Sequence, residues 1–304
     1  MKRILITGAS GFVGRHSLAP AAKRGYEVHA VTSRRPSKEL AVWHQADLLD
    51  PVERDRLLEE VRPTHLLHFA WYTAHRAYWT STENLRWVEA SLALLRGFAD
   101  RGGRRAVIAG TCAEYDWRFG YCSEVSTPAI PSSLYGISKN ALQCVASSFA
   151  GQIGLSLAWG RIFFPYGPHE NPRRLVPSVI GSLLKGEPVR CSHGNQYRDF
   201  LYVADCGDAF AALLDSDVQG VVNIGSGRPR TIKDIVQVIS AAIPAGSSSL
   251  VEFGAIPAPP DDPPLLVADV RRLTQEVGWS PAYELEQGIA ETIRTIISAS
   301  ENSL

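Results

Sequence analysis

The chain has 304 residues, 45% of them hydrophobic, enough to bury a large core in one α/β domain or two interlocked lobes. Its 31 basic and 31 acidic residues balance, so bulk charge gives no reason to expect a nucleic-acid or membrane partner, and no apolar run approaches a membrane span. Five cysteines, odd in number and without metal-site spacing, indicate reduced thiols in a cytoplasmic protein with no metal site. Lys2-Arg3 and the three apolar residues after it are too short for a signal start, because glycines follow at once.

Arg3 to Ile6 predicts a short buried strand, and Thr7-Gly8-Ala9-Ser10-Gly11-Phe12-Val13-Gly14 follows it directly. Glycines at 8, 11 and 14 allow a sharp turn, close approach to a ligand, and packing of the next helix on the sheet. A helix beginning near Gly11 would aim its free N–H groups and positive dipole end at a pyrophosphate. That makes Gly8, Ser10, Gly11, Phe12 and Val13 the candidate dinucleotide-binding loop. Phe12 to Arg24 forms the first helix, Glu27–Thr32 the second strand and Val42–Ala46 the third. Asp50-Pro51 caps and opens a helix through Glu60, and Thr64–Ala70 is the fourth strand. The long helix Asn84–Arg101 ends at Gly102-Gly103, and Ala106–Gly110 is the fifth strand. Leu134–Gln152 is the next helix and Leu155–Ile162 the sixth strand. This alternation implies a doubly wound, Rossmann-type parallel sheet over residues 1–165, with the ligand at the C-terminal ends of its strands.

Beyond Pro165 the pattern loosens. Short strands and helices at Leu175–Leu184, Ala204–Leu214, Thr231–Ile243 and Tyr283–Ser298 imply a smaller α/β substrate lobe over 166–304. Some segments, about 198–226, return to the main sheet. Pro257 to Pro264 is the one proline-rich stretch, expected as a surface loop, and the cleft between the lobes is the natural substrate site.

The end of the second strand tests the adenosine ribose. It reads Thr32-Ser33-Arg34-Arg35, with no acidic residue before Glu39. An acidic residue there favours NAD and a basic one NADP, so Ser33, Arg34 and Arg35 point to NADP(H), with NAD(H) the alternative if the arginines are merely solvated. Asp47-Leu48 either holds the adenine edge or forms the turn into the next helix. Ala70 ends the fourth strand at the cofactor edge. Tyr135 and Lys139 lie four residues apart on a predicted helix, so phenol and ammonium share one face. A cation beside a phenol favours the phenolate and eases proton exchange near neutrality. Thr111, just past the fifth strand, places a hydroxyl at the same edge.

Over nearly its whole length the chain resembles the extended short-chain dehydrogenase/reductase family, the nucleotide-sugar epimerase/dehydratase-like enzymes. The resemblance rests on the glycine loop, on Thr111, Tyr135 and Lys139, and on Arg161-Ile162-Phe163-Phe164-Pro165-Tyr166-Gly167-Pro168. It rests also on Arg198-Asp199-Phe200-Leu201-Tyr202-Val203-Ala204-Asp205, on Asn223-Ile224-Gly225-Ser226-Gly227, and on Gly278-Trp279-Ser280-Pro281. It implies that Tyr135 is the acid/base, that Lys139 binds the nicotinamide ribose and lowers the Tyr135 pKa, and that Thr111 orients the substrate oxygen. Arg198 resembles the arginine that reaches the nucleotide diphosphate. The resemblance also implies a homodimer formed through the helices Asn84–Arg101 and Leu134–Gln152.

Departures from the family pattern narrow the chemistry. Dehydratases of the family carry an Asp-Glu pair after the threonine, where this chain has Cys112 and Ala113, so dehydration is disfavoured. Phe164 replaces the usual asparagine, removing a donor to the sugar or its phosphates. Glu114 either touches the sugar or is paired within its loop. Trp71, Tyr72 and His75, after the fourth strand, are candidate pocket walls, with packing the alternative for the tryptophan. Together these features predict an NADPH-dependent reductase of a nucleotide-linked 4-keto-6-deoxyhexose. A 4-epimerase with retained NAD is the alternative, and a silent dinucleotide-binding sensor the third reading.

Overall fold

The computed structural model describes residues 2–33, 40–243 and 247–301. Seven strands form the main sheet: β1 (Arg3–Thr7), β2 (Glu27–Thr32), β3 (Val42–Gln45), β4 (His65–His68), β5 (Arg105–Thr111), β7 (Ser156–Ile162) and β11 (Gly220–Ile224). β6 (Tyr121–Cys122) lies elsewhere. Their order is β3-β2-β1-β4-β5-β7-β11, and every neighbouring pair is parallel. Ile4, Leu5 and Ile6 have no exposed surface, as befits a central strand covered on both faces. Strand order reverses between β1 and β4, which opens a crevice beyond their C-terminal ends.

Two helical layers cover this sheet. α1 (Gly14–Lys23) packs against α6 (Val203–Asp215) on one face, where Leu18, Ala21, Phe210 and Leu213 share a core. On the other face α2 (Pro51–Val61), α3 (Glu83–Asp100) and α4 (Leu134–Ile153) bury Leu57, Leu58, Leu94, Phe98, Leu142 and Ala146. The ends of these helices follow the sequence. Asp50 caps α2 through the N–H groups of Val52 and Glu53, with Pro51 in the first turn. Ser133 accepts from Gly136 N–H at 3.1 Å to start α4, and Gly154, at φ 71°, ends it.

The rest of the chain builds a second sheet from β8 (Phe164–Tyr166), β10 (Tyr197–Tyr202), β12 (Pro229–Thr231), β14 (Leu265–Ala268) and β6. β9 (Val189–Arg190) pairs with β13 (Val251–Glu252) beside it. α5 (Leu175–Leu184), α7 (Ile232–Ala242) and α8 (Leu285–Glu301) close a separate apolar core around Ile180, Ile235, Ile239 and Ile289. The two sheets are stitched together by buried polar side chains. Asp199 accepts from Ser226 N–H at 2.6 Å, Gly227 N–H at 3.0 Å and Ala268 N–H at 3.0 Å.

Three expectations shift. The first helix begins at Gly14 rather than Phe12, leaving residues 8–13 as an open turn. The return to the main sheet comprises α6 and β11, whereas β10 stays in the second sheet between β12 and β14. The last helix starts at Leu285 rather than Tyr283, because the N–H groups of Ala282 and Tyr283 are taken by the Asp205 carboxylate.

Candidate functional site

The glycine loop lies over the crevice between β1 and β4. Gly8 turns at φ 65°, and a Cβ on it would come within 2.7 Å of Ala70 N, so only glycine lets β1 pass this close to the end of β4. A Cβ on Gly11 would sit 2.9 Å from the Gly8 carbonyl, and one on Gly14 would overlap that same oxygen. The turn is held by Gly11 N–H to Gly8 O at 2.9 Å and by Ala9 N–H to Val31 O at 3.3 Å. The Ser10 hydroxyl meets that of Thr32 at 3.0 Å, pinning the loop to the end of β2. Among the described residues the N–H groups of Phe12 and Val13 donate to nothing, which suits an anion at the helix start. Residues 8–14 therefore fit a dinucleotide pyrophosphate. Arg15, which the sequence reading passed over, folds its guanidinium back onto the Ser10 carbonyl at 2.8 Å and sets a cation beside the loop.

Ser33 is exposed just past β2, while Arg34 and Arg35 lie outside the described residues. Asp47 is exposed in a turn beyond β3, accepting from Leu49 N–H at 2.9 Å, and Leu48 is buried in the adjoining core. Beneath the loop a chain of hydrogen bonds joins Thr7 to His68 at 2.6 Å and His68 to Ser91 at 2.9 Å. Burial pushes the His68 pKa down to about 3, keeping the ring neutral, with Lys139 acting in the same direction.

Thr111, Tyr135 and Lys139 come together beside this crevice. Gly136, between the two α4 residues, lets the helix touch the turn after β5, because a Cβ there would overlap the Ala113 carbonyl. Burial raises the Tyr135 pKa, and the nearby Thr111 hydroxyl acts in the opposite sense. The Lys139 ammonium donates to the Ala109 carbonyl at 2.8 Å and lies 3.8 Å from the centre of the Trp71 ring. Burial lowers its pKa to about 7, against the pull of Glu114. Tyr78 and Trp79 meet the Tyr135 ring edge-on, with centroids 4.9 and 5.7 Å away. Sequence spacing did not mark them, since they come from a loop more than fifty residues upstream.

On the substrate side the expected residues divide. Arg198 and Phe164 share a cavity of about 220 Å³ with Glu170, Arg174, Phe200 and Asp262. The Arg198 guanidinium lies 5.6 Å from the Phe164 ring centre, donates to the Pro263 carbonyl at 2.8 Å and pairs with Asp262. Glu170, which the sequence reading also missed, has one buried oxygen without a partner, and burial raises its pKa to about 8. Tyr72 and His75 are half-buried in the loop after β4, and partial burial with Arg174, Arg76 and Arg173 lowers the His75 pKa. Cys112 is packed among Tyr115, Cys122, Phe163 and Leu266, and burial raises its thiol pKa.

Glu114 is the correction. It has no exposed surface, and its carboxylate takes the Thr111 N–H at 2.8 Å, the Trp159 indole N–H at 3.0 Å and the Arg161 Nε at 2.7 Å. Those partners make it an internal brace for Thr111 rather than a sugar contact. Among the described residues no cluster of metal-ligating side chains occurs, and no helix is long and apolar enough to cross a membrane.

The sequence profile of the NAD dependent epimerase/dehydratase family matches residues 4–225. A dTDP-glucose 4,6-dehydratase of Xanthomonas campestris is 29% identical, with 95% of this chain and 91% of that protein aligned. A UDP-glucuronic acid decarboxylase 1 of Danio rerio is also 29% identical, over 96% of this chain and 72% of its own length. A CDP-abequose synthase of Salmonella typhimurium is 24% identical, over 96% and 98%. In structure, the UDP-glucose 4-epimerase of Thermus thermophilus in complex with NAD superposes with a TM-score of 0.84 at 27% identity, covering 98% of this chain and 99% of that one.

Proposed function

The chain belongs to the NAD dependent epimerase/dehydratase family, and we propose that within it this protein is an NADPH-dependent reductase of a nucleotide-linked 4-keto-6-deoxyhexose. The observation that supports this reading is the placing of the Thr111 hydroxyl near the Tyr135 phenol, with Lys139 one turn along α4 and no second proton-transfer side chain at positions 112 and 113. Ketone reduction needs one proton donor, and Tyr135 supplies it. A nicotinamide dinucleotide on the glycine loop supplies the hydride. As the C4 oxygen gains charge, Tyr135 delivers its proton to it and the Thr111 hydroxyl hydrogen-bonds it. Both interactions strengthen with that charge, so they favour the transition state over the ketone. Lys139, one turn from Tyr135 on α4 and with its pKa lowered by burial to about 7, would supply positive charge on the same helix face. Dehydration would need a further acid–base pair, and the buried Cys112 thiol, Ala113 and the internally paired Glu114 do not provide one.

A 4-epimerase that keeps NAD bound is the second reading, favoured by the likeness to the Thermus thermophilus 4-epimerase complexed with NAD. It uses the same three residues. The decisive assay mixes the protein, NADPH and a panel of nucleotide-4-keto-6-deoxyhexoses, following cofactor oxidation and product mass. Stoichiometric oxidation with a gain of two hydrogens supports the reductase, whereas interconversion of UDP-sugars without added cofactor or mass change makes it an epimerase. NADP(H) is favoured by Ser33, Arg34 and Arg35. Replacing both arginines with alanine should weaken NADPH at least tenfold while sparing NADH, and an equal loss of both cofactors overturns that preference. A homodimer through α3 and α4 is supported by their mutual packing and by Leu85, Ile137, Val145 and Ile153, all about half-exposed on those helices. Sedimentation equilibrium tests it.

A further inference from the structure

Aromatic rings stand in series beside the reacting phenol. Trp79 lies edge-on to Tyr135 at 5.7 Å, and Trp117 crosses Trp79 at 6.0 Å. Trp117 is anchored by its indole N–H on the Cys112 carbonyl, 2.8 Å away, so the residue next to Thr111 holds it in place. Trp117 and Phe164 pack against the same small cluster of Cys112, Phe163 and Leu266. Phe164 in turn lines the 220 Å³ cavity containing Arg198. The series thus leads from Tyr135 to that cavity, the path of a sugar whose C4 oxygen meets the phenol and whose phosphate meets Arg198.

The polar side chains near this path are largely occupied. Glu114 and Asp116 are paired with Arg161 and Arg118. The Asn84 amide is shared among the Trp71 indole and the carbonyls of Tyr78 and Ser81. Arg174 lies near Tyr78 and acts on its phenol, lowering a pKa that burial raises. We propose that Trp79 and Trp117 form the wall on which the C5–C6 edge of the sugar packs, selecting a sugar whose C6 is a methyl group over one with a 6-hydroxyl or a 6-carboxylate. This rests on the reading of the site as one for a nucleotide-linked sugar. Indole faces take up C–H surface, and a methyl group leaves water without loss. A hydroxyl pressed on the same wall gives up its water without a replacement partner. Apolar sites of this kind reject an added hydroxyl by up to about 100-fold.

The test is calorimetric binding of glucose, 6-deoxyglucose and glucuronic acid, each linked to UDP, dTDP, CDP and GDP. On the tightest-binding nucleotide, the 6-deoxy sugar should bind at least tenfold more tightly than the other two. Trp79→Ala and Trp117→Ala should each cut that ratio below threefold by weakening the 6-deoxy sugar, while affinity for the free nucleoside diphosphate stays unchanged. Trp117→Phe, which keeps a ring in place, should retain most of the ratio and guards against misfolding of the alanine variant. Equal affinity for the hexose, preference for the uronic acid, or a variant that weakens sugar and free diphosphate alike overturns the proposal. Turnover is measured in parallel with NADP+. Selective binding without turnover leaves the wall standing and overturns the reductase, turnover without selectivity does the reverse, and failure to bind any of the twelve compounds overturns both.

Discussion

At Lys139 the fold sets a charge against its own burial. Among the described residues the ammonium has one hydrogen bond, to Ala109, and one aromatic face, Trp71, and its pKa falls from 10.5 to about 7. Below pH 7 the lysine is charged in both folded and unfolded states, and the full burial penalty applies. Between pH 7 and 10.5 only the unfolded chain keeps the proton, so this group's contribution to stability rises with pH and the penalty is gone above 10.5. Lys139→Met should therefore increase stability at pH 6 by an amount on the order of a few kcal/mol, read as a higher melting temperature, with the gap closing towards pH 10. A variant less stable than wild type at pH 6 would show the ammonium to be a net stabiliser. Tyr135→Phe isolates the phenol: turnover should fall at least 100-fold with cofactor affinity nearly unchanged, because one hydroxyl is lost and the ring contacts with Tyr78 and Trp79 remain. The Tyr135–Lys139 spacing was legible because four residues always share a helix face. The fate of Glu114 was not, because its partners Trp159 and Arg161 lie 45 and 47 residues away and reach it only once β5 and β7 pair.

Among the elements, β1, β2, β4, β5 and β7 were readable because these inner strands of the main sheet are buried along nearly their whole length, unlike the half-exposed edge strand β3. The second sheet was not, since β6 has two residues and β8 and β12 have three, too short to show a period. The glycine loop lies between these cases. Its existence was plain, but the delay of α1 to Gly14 follows from packing, because the Gly8 carbonyl fills the space beside both later glycines. That crowding makes a test at the scale of the element. Gly14→Ala should push the loop off the Gly8 carbonyl and weaken dinucleotide binding at least tenfold, read by nicotinamide fluorescence. Gly25→Ala, at a turn with open space but a φ of 79°, should cost stability and leave cofactor affinity unchanged. Equal affinity of wild type and Gly14→Ala would mean that the loop does not carry the pyrophosphate.

For the whole molecule the buried His68 and the half-buried His16 and His65 govern the response to acid. His16 and His65 are held near pKa 4 and His68 near 3, burial being the first cause in each, against about 6.5 in an unfolded chain. Between pH 6.5 and 4 the unfolded state therefore binds up to about three protons that the native state refuses, and stability falls as pH falls. Glu170 works in the opposite sense. Its pKa near 8 means that the native state keeps a proton which the unfolded chain releases above about pH 4.5. Glu124, Asp199 and Asp205, also raised by burial, act with Glu170. His16, His65 and His68 set against Glu170 give a net uptake on unfolding of about two protons near pH 5.5, a slope of ~2.7 kcal/mol per pH unit, and the lowered pKa values of His44, His75 and His169 act with the first three. Melting temperatures taken from pH 7.5 to 5 should fall accordingly. His68→Gln should flatten that fall by about one proton while leaving hydrogen-bonding groups for Thr7 and Ser91. Glu170→Gln should steepen it by about one, because the glutamine cannot hold the compensating proton. A melting curve indifferent to pH across this range, or a His68→Gln protein as acid-sensitive as wild type, would place the acid response elsewhere in the molecule.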